Sequence, residues 1–131
     1  MNLTIEELNL NAIENRSFPV YWYNTHYYVF KVLHNDEYIG LFAFWVFRDV
    51  AEIRRLHITE SQRSKGYAKF IINHLQSEAK KKNVHTLYVH DEVKDFWMKY
   101  GFVHNDNVPK WLFNLPNVEN KKATGFLSKE V

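Results

Sequence analysis

From Ile39 to Phe47 the chain runs through nine consecutive apolar residues, aromatic at Phe42, Phe44, Trp45 and Phe47. A run this short and this rich in aromatic residues reads as an extended strand, and its apolar character on both faces demands cover on both sides. Such a strand belongs in the middle of a sheet. At nine residues it falls well short of the roughly 20 a membrane helix needs, so no membrane role is expected. Two more strand-like runs flank it. Tyr27 to Leu33 precedes it across His34-Asn35-Asp36-Glu37, a hairpin signal, and Ala51 to Ile58 follows across Arg48-Asp49.

After Gly66 the period changes. Ala68, Ile71, Ile72, Leu75 and Ala79 recur at steps of three and four, which predicts a helix over 66–83. Lys80, Lys81 and Lys82 stand where the helix dipole favours cations, a solvated helix end first and an RNA contact second. Val84 to His90 reads as a short strand. Val93, Phe96, Trp97 and Tyr100 form a second helical stripe, with Gly101 as its C-terminal stop. Phe102 onward and Trp111 to Leu115 are expected to be strands, and the polar tail 116–131 to be loosely held. At the other end, Thr4 and Glu7 have capping-box spacing, which predicts a helix over Thr4 to Asn15. Ser17 to Asn24, broken by Pro19, reads as a loop. The order of elements predicts one mixed α/β layered domain over residues 1–131, with its core at 27–115.

Composition narrows the function. A length of 131 residues supplies one core, and 24% charged with 46% apolar residues is an ordinary globular balance. The net charge of +2 is too small to imply nucleic acid. With no cysteine, disulfides, thiolate metal sites and cysteine nucleophiles are excluded. Glu6 and Glu7 stand where a signal peptide carries positive charge, so a cytoplasmic location is expected.

The stretch Ile58-Thr59-Glu60-Ser61-Gln62-Arg63-Ser64-Lys65-Gly66-Tyr67-Ala68 joins a strand to a helix start through a tight turn. Helix N-termini aim unpaired N–H groups outward with partial positive charge behind them, and Arg63 and Lys65 add cations. Gly66 permits close backbone approach, and small Ala68 keeps the wall thin. A diphosphate fits that arrangement. The plain alternative is a strand–helix connection with exposed basic residues.

Here the chain resembles the GNAT superfamily of acetyl-CoA-dependent N-acetyltransferases. Arg63-Ser64-Lys65-Gly66-Tyr67-Ala68 is similar to that family's Arg/Gln-x-x-Gly-x-Gly/Ala pyrophosphate motif, with Leu56-His57-Ile58 on the strand leading into it. Phe96-Trp97-Met98-Lys99-Tyr100-Gly101-Phe102 resembles the family's later aromatic-pair helix ending in Gly-Phe. The resemblance covers roughly Tyr27 to Phe102. It implies a single α+β domain with a mixed, mostly antiparallel sheet of about six strands flanked by helices. It also implies a bulge in the strand Glu52 to Ile58 and a splay from the strand Val84 to His90, with acetyl-CoA in the gap. Leu56, His57 and Ile58 would offer backbone to the pantetheine, and Arg63, Ser64, Lys65, Gly66, Tyr67 and Ala68 would hold the pyrophosphate. The adjacent Arg54 and Arg55 break strand alternation, which is compatible with a bulge.

The implied reaction is direct attack of a primary amine on the thioester. A lysine-like amine titrates near 10.4, so deprotonating it at pH 7 costs about 4.6 kcal/mol, and a positioned base removes much of that. Glu52, fourteen residues before Gly66, matches the spacing of the catalytic glutamate in the histone-acetyltransferase branch. Its structural alternative is a glutamate paired with Arg54 or Arg48. His57 is the second candidate base, since imidazole changes charge near neutral pH, or else it packs on the opposite strand face.

Two positions depart from the family. Trp97 stands where many members have the tyrosine that protonates the leaving thiolate, so Tyr100 or Tyr67 would substitute, or the thiolate would leave unassisted. Trp97 itself would be core or pantetheine wall. His90 replaces an asparagine that bonds the cofactor arm; it would do the same or cap the following helix with Asp91. A metal at His90-Asp91-Glu92 is not expected, because three consecutive residues rarely chelate one ion. Tyr21, Trp22 and Tyr23 fall in the substrate-covering segment and would wall an amine pocket, or else fill the core. The expected partner is an amine, on a small molecule or a protein, with the chain a monomer or homodimer. Two rival functions stand beside this one: a non-catalytic acyl-CoA-binding module, and an acetyltransferase acting on an RNA-borne amine.

Overall fold

The computed structural model describes residues 3–8, 26–63, 65–108 and 125–131. Three antiparallel strands form its spine: β2 (His26–His34), β3 (Glu37–Phe47) and β4 (Val50–Ile58). Asn35 and Asp36 turn the first hairpin with φ of 51° and 66°, and Arg48 turns the second with φ of 58°. Positive φ at consecutive Asn and Asp suits the right-handed twist of the flanking strands. As its sequence demands, β3 is central. Phe42 to Val46 are all buried, and Phe30 stacks on Phe42 with ring centroids 4.8 Å apart.

Helix α1 (Tyr67–Lys81) lies across one face and buries Ile71, Ile72, Leu75 and Ala79 against Phe30, Phe44, Ala51 and Ile53. It is followed by β5 (Thr86–His90), α2 (Lys94–Met98) and β6 (Val103–Asn105). With β1 (Leu3–Glu7) and β7 (Phe126–Glu130), the sheet among the described residues has seven strands, in the order β1-β2-β3-β4-β5-β7-β6. Of the neighbouring pairs described, only β4 and β5 run parallel. No helix among the described residues is long and apolar enough to cross a membrane.

Four sequence expectations fail. Residues Leu3–Glu7 form strand β1 rather than a helix start. The free edge of β2 takes β1 as its antiparallel partner, Leu3 and Ile5 turn toward the core, and Glu6 and Glu7 pair with Lys31 and Lys82. Tertiary pairing overrides the local capping pattern.

At the other end, Phe126–Glu130 is strand β7, inserted between β5 and β6 with Phe126, Leu127 and Ser128 buried. The tail expected to be loose over 116–131 therefore contributes a sheet strand there. The five-residue segment Phe126–Glu130 has three buried positions and two ladders to satisfy its backbone. The strand expected at Trp111 to Leu115 lies outside the described residues.

The second helical stripe is also shorter than expected. Val93 is 59% exposed in a 3-10 turn, and Trp97 is the buried residue of α2. Gly101, at φ 92°, stops the chain's helical course as anticipated. Nor is the lysine run wholly solvated. Lys82 Nζ sits 4.3 Å from the Tyr28 ring centroid and 3.4 Å from a Glu7 carboxylate oxygen.

Candidate active site

Parallel pairing of β4 with β5 holds only for Val50–Thr86, Ala51–Leu87 and Glu52–Tyr88. Beyond Glu52 the strands part. On its other side β4 stays paired with β3, but Ala43 lies opposite Arg55 and Phe44 opposite Ile53, so Arg54 is an extra residue in a bulge. A bulge bends the strand that carries it, and here it coincides with the loss of the β5 ladder. The β5-facing backbone groups of Leu56 to Ile58 thus lose strand partners and face a gap.

That gap opens into a cleft of about 1400 Å³. Leu56, His57, Ile58, Arg63, Gly66, Tyr67 and Ala68 line one side, and His90, Trp97 and Tyr100 the other. The strand–helix turn and the aromatic helix therefore meet at one cavity. Lys65 does not line it; its Nζ lies 3.3 Å from Gln62 Oε1. Ser64, Tyr21, Trp22 and Tyr23 lie outside the described residues.

At the turn between β4 and α1, Gly66 precedes the helix with φ 81° and ψ 8°, and no side chain caps it. A Cβ there would meet nothing within 4 Å, so the left-handed backbone, not crowding, makes glycine the suitable residue. Arg63 Nε donates to the Ile58 carbonyl at 2.9 Å, which folds the turn back onto the end of β4.

The floor of the divergence is built differently. Ala51 and Ile53 point toward α1, so Glu52 projects from the opposite face, as His90 does beside Val89. Glu52 is fully buried. Its Oε1 accepts from Arg54 Nη1 at 3.0 Å and lies 3.1 Å from His90 Nε2. Glu52 Oε2 and His90 Nδ1 are buried without a hydrogen-bond partner among the described residues. Of the three, Arg54 and His90 reach the cleft wall and Glu52 does not. The His90 side chain makes no cap for the following turn; its ring packs on Phe126 at 4.4 Å. Arg54, not Arg48, is the arginine bonded to Glu52.

His57 is exposed, on the face opposite α1, and lines the cleft. Trp97 is both core and wall: it is buried, meets Phe102 edge-on at 5.2 Å, and lines the cleft. Tyr100 is half-buried against Phe96, and its carbonyl accepts from Lys129 Nζ at 2.7 Å. Tyr67 is buried near His34.

Reading the sequence missed the contact between Glu52 and His90, which lie 38 residues apart with no spacing rule to join them. It also missed Glu92 and Tyr38 as cleft residues. No group of three or more His, Cys, Asp or Glu able to hold a metal occurs among the described residues. The lining suits coenzyme A: a glycine turn at an uncapped helix start for phosphate, then free strand backbone for the amides of its arm.

Comparison with known proteins agrees with this geometry. The family model described as "Acetyltransferase (GNAT) family" matches residues 3–102. No curated protein sequence matches the chain significantly. Among solved structures, a GNAT-family acetyltransferase from Staphylococcus aureus superposes with a TM-score of 0.69 at 12% identity, covering 98% of each chain. A GNAT-family acetyltransferase from Elizabethkingia anophelis, with acetyl-CoA bound, gives 0.65 at 17% identity over 99% of each. The PaiA N-acetyltransferase from Thermoplasma acidophilum, in complex with coenzyme A, gives 0.60 at 16% identity over 82% of this chain. The match spans only 62% of that protein's length. At such identities the likeness establishes the fold, and the family model carries the assignment: this chain belongs to the GNAT family of acetyltransferases.

Proposed function

We propose that this protein transfers the acetyl group of acetyl-CoA to a primary amine by direct attack, without an acyl-enzyme intermediate. The observation that carries the reading is the divergence of β4 from β5 at Glu52, beside a bulge and facing an uncapped helix start in one cleft. The diphosphate lies against the turn from Arg63 to Ala68. The pantetheine extends along the free backbone of Leu56 to Ile58, with Trp97 as its opposite wall. This places the thioester near the point where the strands part.

Glu52 is the base that finally holds the ammonium proton. Because its carboxylate is sealed from the cleft, the proton passes by way of the His90 edge of the wall or one intervening water. Arg54 keeps the carboxylate oriented. The nitrogen lone pair then forms the new C–N bond, and the C–S bond breaks as the tetrahedral adduct collapses. The proton the nitrogen sheds on becoming an amide replaces the one given to the thiolate. Tyr100, at the cleft wall, is the candidate to protonate the departing thiolate, a role the indole of Trp97 cannot fill.

The absence of any cysteine in the chain supports direct attack, because no thiol is available to carry the acetyl group. The test is release of CoA thiol from acetyl-CoA in the presence of a panel of amines and peptides. Amine-dependent release with formation of the N-acetyl product is expected. Tight CoA binding with no release for any amine would favour the binding-module reading instead.

A further inference from the structure

We propose that Arg55 holds an anionic group on the acceptor, so that the amine acetylated here carries a carboxylate or phosphate within a few bonds of its nitrogen. The inference rests on the acyl transfer proposed above and narrows its substrate class. Its ground is an imbalance of charge in the cleft. Three arginines and two histidines line it against a single acid, Glu92. Two of the arginines are engaged: Arg54 with Glu52, and Arg63 with the Ile58 carbonyl. Arg55 makes no hydrogen bond or ion pair among the described residues.

Position separates Arg55 from the phosphate turn. Leu56 and Ile58 pack toward the core under α1, so Arg55 and His57 project from the opposite face, the face that also carries Glu52 and His90. Arg55 lies three residues beyond Glu52, roughly 10 Å along the strand. Its cross-strand partner is Ala43, flanked on that face by Leu41 and Trp45, and none of these is an acid. On the other side β5 has already turned away.

Behind the patch, outside the cleft lining, lies Tyr27. Tyr27 packs edge-on against Trp45, with ring centroids 5.5 Å apart. Burial raises its phenol above the ordinary value, and Arg55 is the strongest of the charges opposing that rise. The Arg55 guanidinium, which lines the cleft, is by itself a donor fork for an oxyanion. Polyamines and basic peptides, by contrast, would bring a second cation to a cation.

The chain outside the described residues supplies little to reverse this charge. Residues 9–25 contain one glutamate and one arginine, and residues 109–124 one glutamate and three lysines.

The test uses acceptor pairs that differ in charge near the amine: β-alanine with β-alaninamide, and phosphoethanolamine with ethanolamine, with spermidine as the cationic comparator. Thiol release is the readout. In at least one pair the anionic member is expected to be favoured about tenfold or more in kcat/KM, the scale of one charge-assisted contact. Arg55→Met should bring that ratio near unity, Arg55→Lys should keep part of it, and the Kd of CoA should stay at the wild-type value in both. Because Arg55 is exposed, calorimetric CoA binding also serves as the check that each variant is folded. Preference for the amides or for spermidine overturns the proposal. So does an Arg55→Met variant with weakened CoA binding and an unchanged acceptor ratio, which assigns the arginine to a cofactor phosphate. If no amine, charged or neutral, releases thiol from a protein that still binds CoA, the acyl-transfer reading itself falls and takes this inference with it.

Discussion

The two ends of the cleft are made by different means. The end proposed for phosphate is a continuous stretch from Arg63 to Ala68, in which backbone geometry supplies what an anion needs: a left-handed glycine at φ 81° followed by an uncapped helix. The floor at the strand divergence joins Glu52 and Arg54 from β4 to His90 from β5, through two contacts of 3.0 and 3.1 Å. The first end depends on local conformation and tolerates changes elsewhere in the sheet. The second depends on the sheet's register, because a one-residue slip of β5 would turn His90 to the other face. A motif and a constellation thus share one cavity but fail in different ways.

The largest effect should come from damage to the local end. Gly66→Asp sets a carboxylate against the phosphate site and puts a side chain at positive φ, so CoA affinity should fall by a hundredfold or more. Calorimetry reads the affinity and circular dichroism the fold. Because nothing lies within 4 Å of the added Cβ, the protein should remain folded. Unchanged affinity in a folded variant would remove the phosphate assignment and with it the difference between the two ends.

Next in size is the distant end. Glu52→Gln keeps the shape but cannot take a proton, and activity near pH 7 should fall roughly a hundredfold, the usual scale of one general base. The deficit should narrow at alkaline pH, where the amine, titrating near 10.4, loses its proton in solution. His90→Gln should cost less, about tenfold, and should add little in the Glu52→Gln background if both residues serve one proton path. Independent, additive losses would show that the 3.1 Å contact is structural only. A Glu52→Gln deficit equal at all pH values would indicate positioning in place of base catalysis.

A smaller effect is expected at the leaving group. Tyr100→Phe should lower turnover several-fold, while Trp97→Phe, conservative in the core, should keep most turnover per folded molecule. If Tyr100→Phe changes only the melting temperature, the thiolate leaves without that tyrosine.

The smallest effect tests the sheet face beside Arg55. Burial raises the Tyr27 phenol above 10.0 in the folded protein. The unfolded chain therefore loses its phenolic proton first, and the stability linked to Tyr27 is intact below about pH 10 and lost as pH rises through the folded value. Tyr88, also raised by burial, contributes in the same direction. Thermal unfolding from pH 8 to 11 should show a shallower alkaline loss for Tyr27→Phe than for the parent protein. Identical slopes would place Tyr27 in a more solvated setting.

Much of the glycine turn and of the helix after it was legible in advance because their determinants are contiguous. The glycine, the flanking cations and the following helical stripe lie within one short segment, and their local conformation needs no distant partner. The central place of β3 was legible too, since an apolar run on both faces leaves no other location. The helix expected from Thr4 was not, because its capping pattern competes with an open strand edge that a linear reading does not contain. Phe126–Glu130 was missed for a related reason: a short strand that two neighbours stabilise carries little signal of its own.

By itself, then, the sequence determined a mixed sheet around an aromatic strand, a glycine turn at Gly66 leading into a helix, and the absence of cysteine chemistry. These follow from periodicity, from glycine's freedom at positive φ and from composition, all of which are local. Only the tertiary structure decided that Glu52 is sealed from the cleft, that His90 and Arg54 share its Oε1, and that Arg55, on the same face, has no ion-pair partner among the described residues. Those relations depend on one bulge at Arg54 and on where a parallel ladder ends. Both are set by pairing among strands distant in sequence, where the free energy of a contact resides in no single segment.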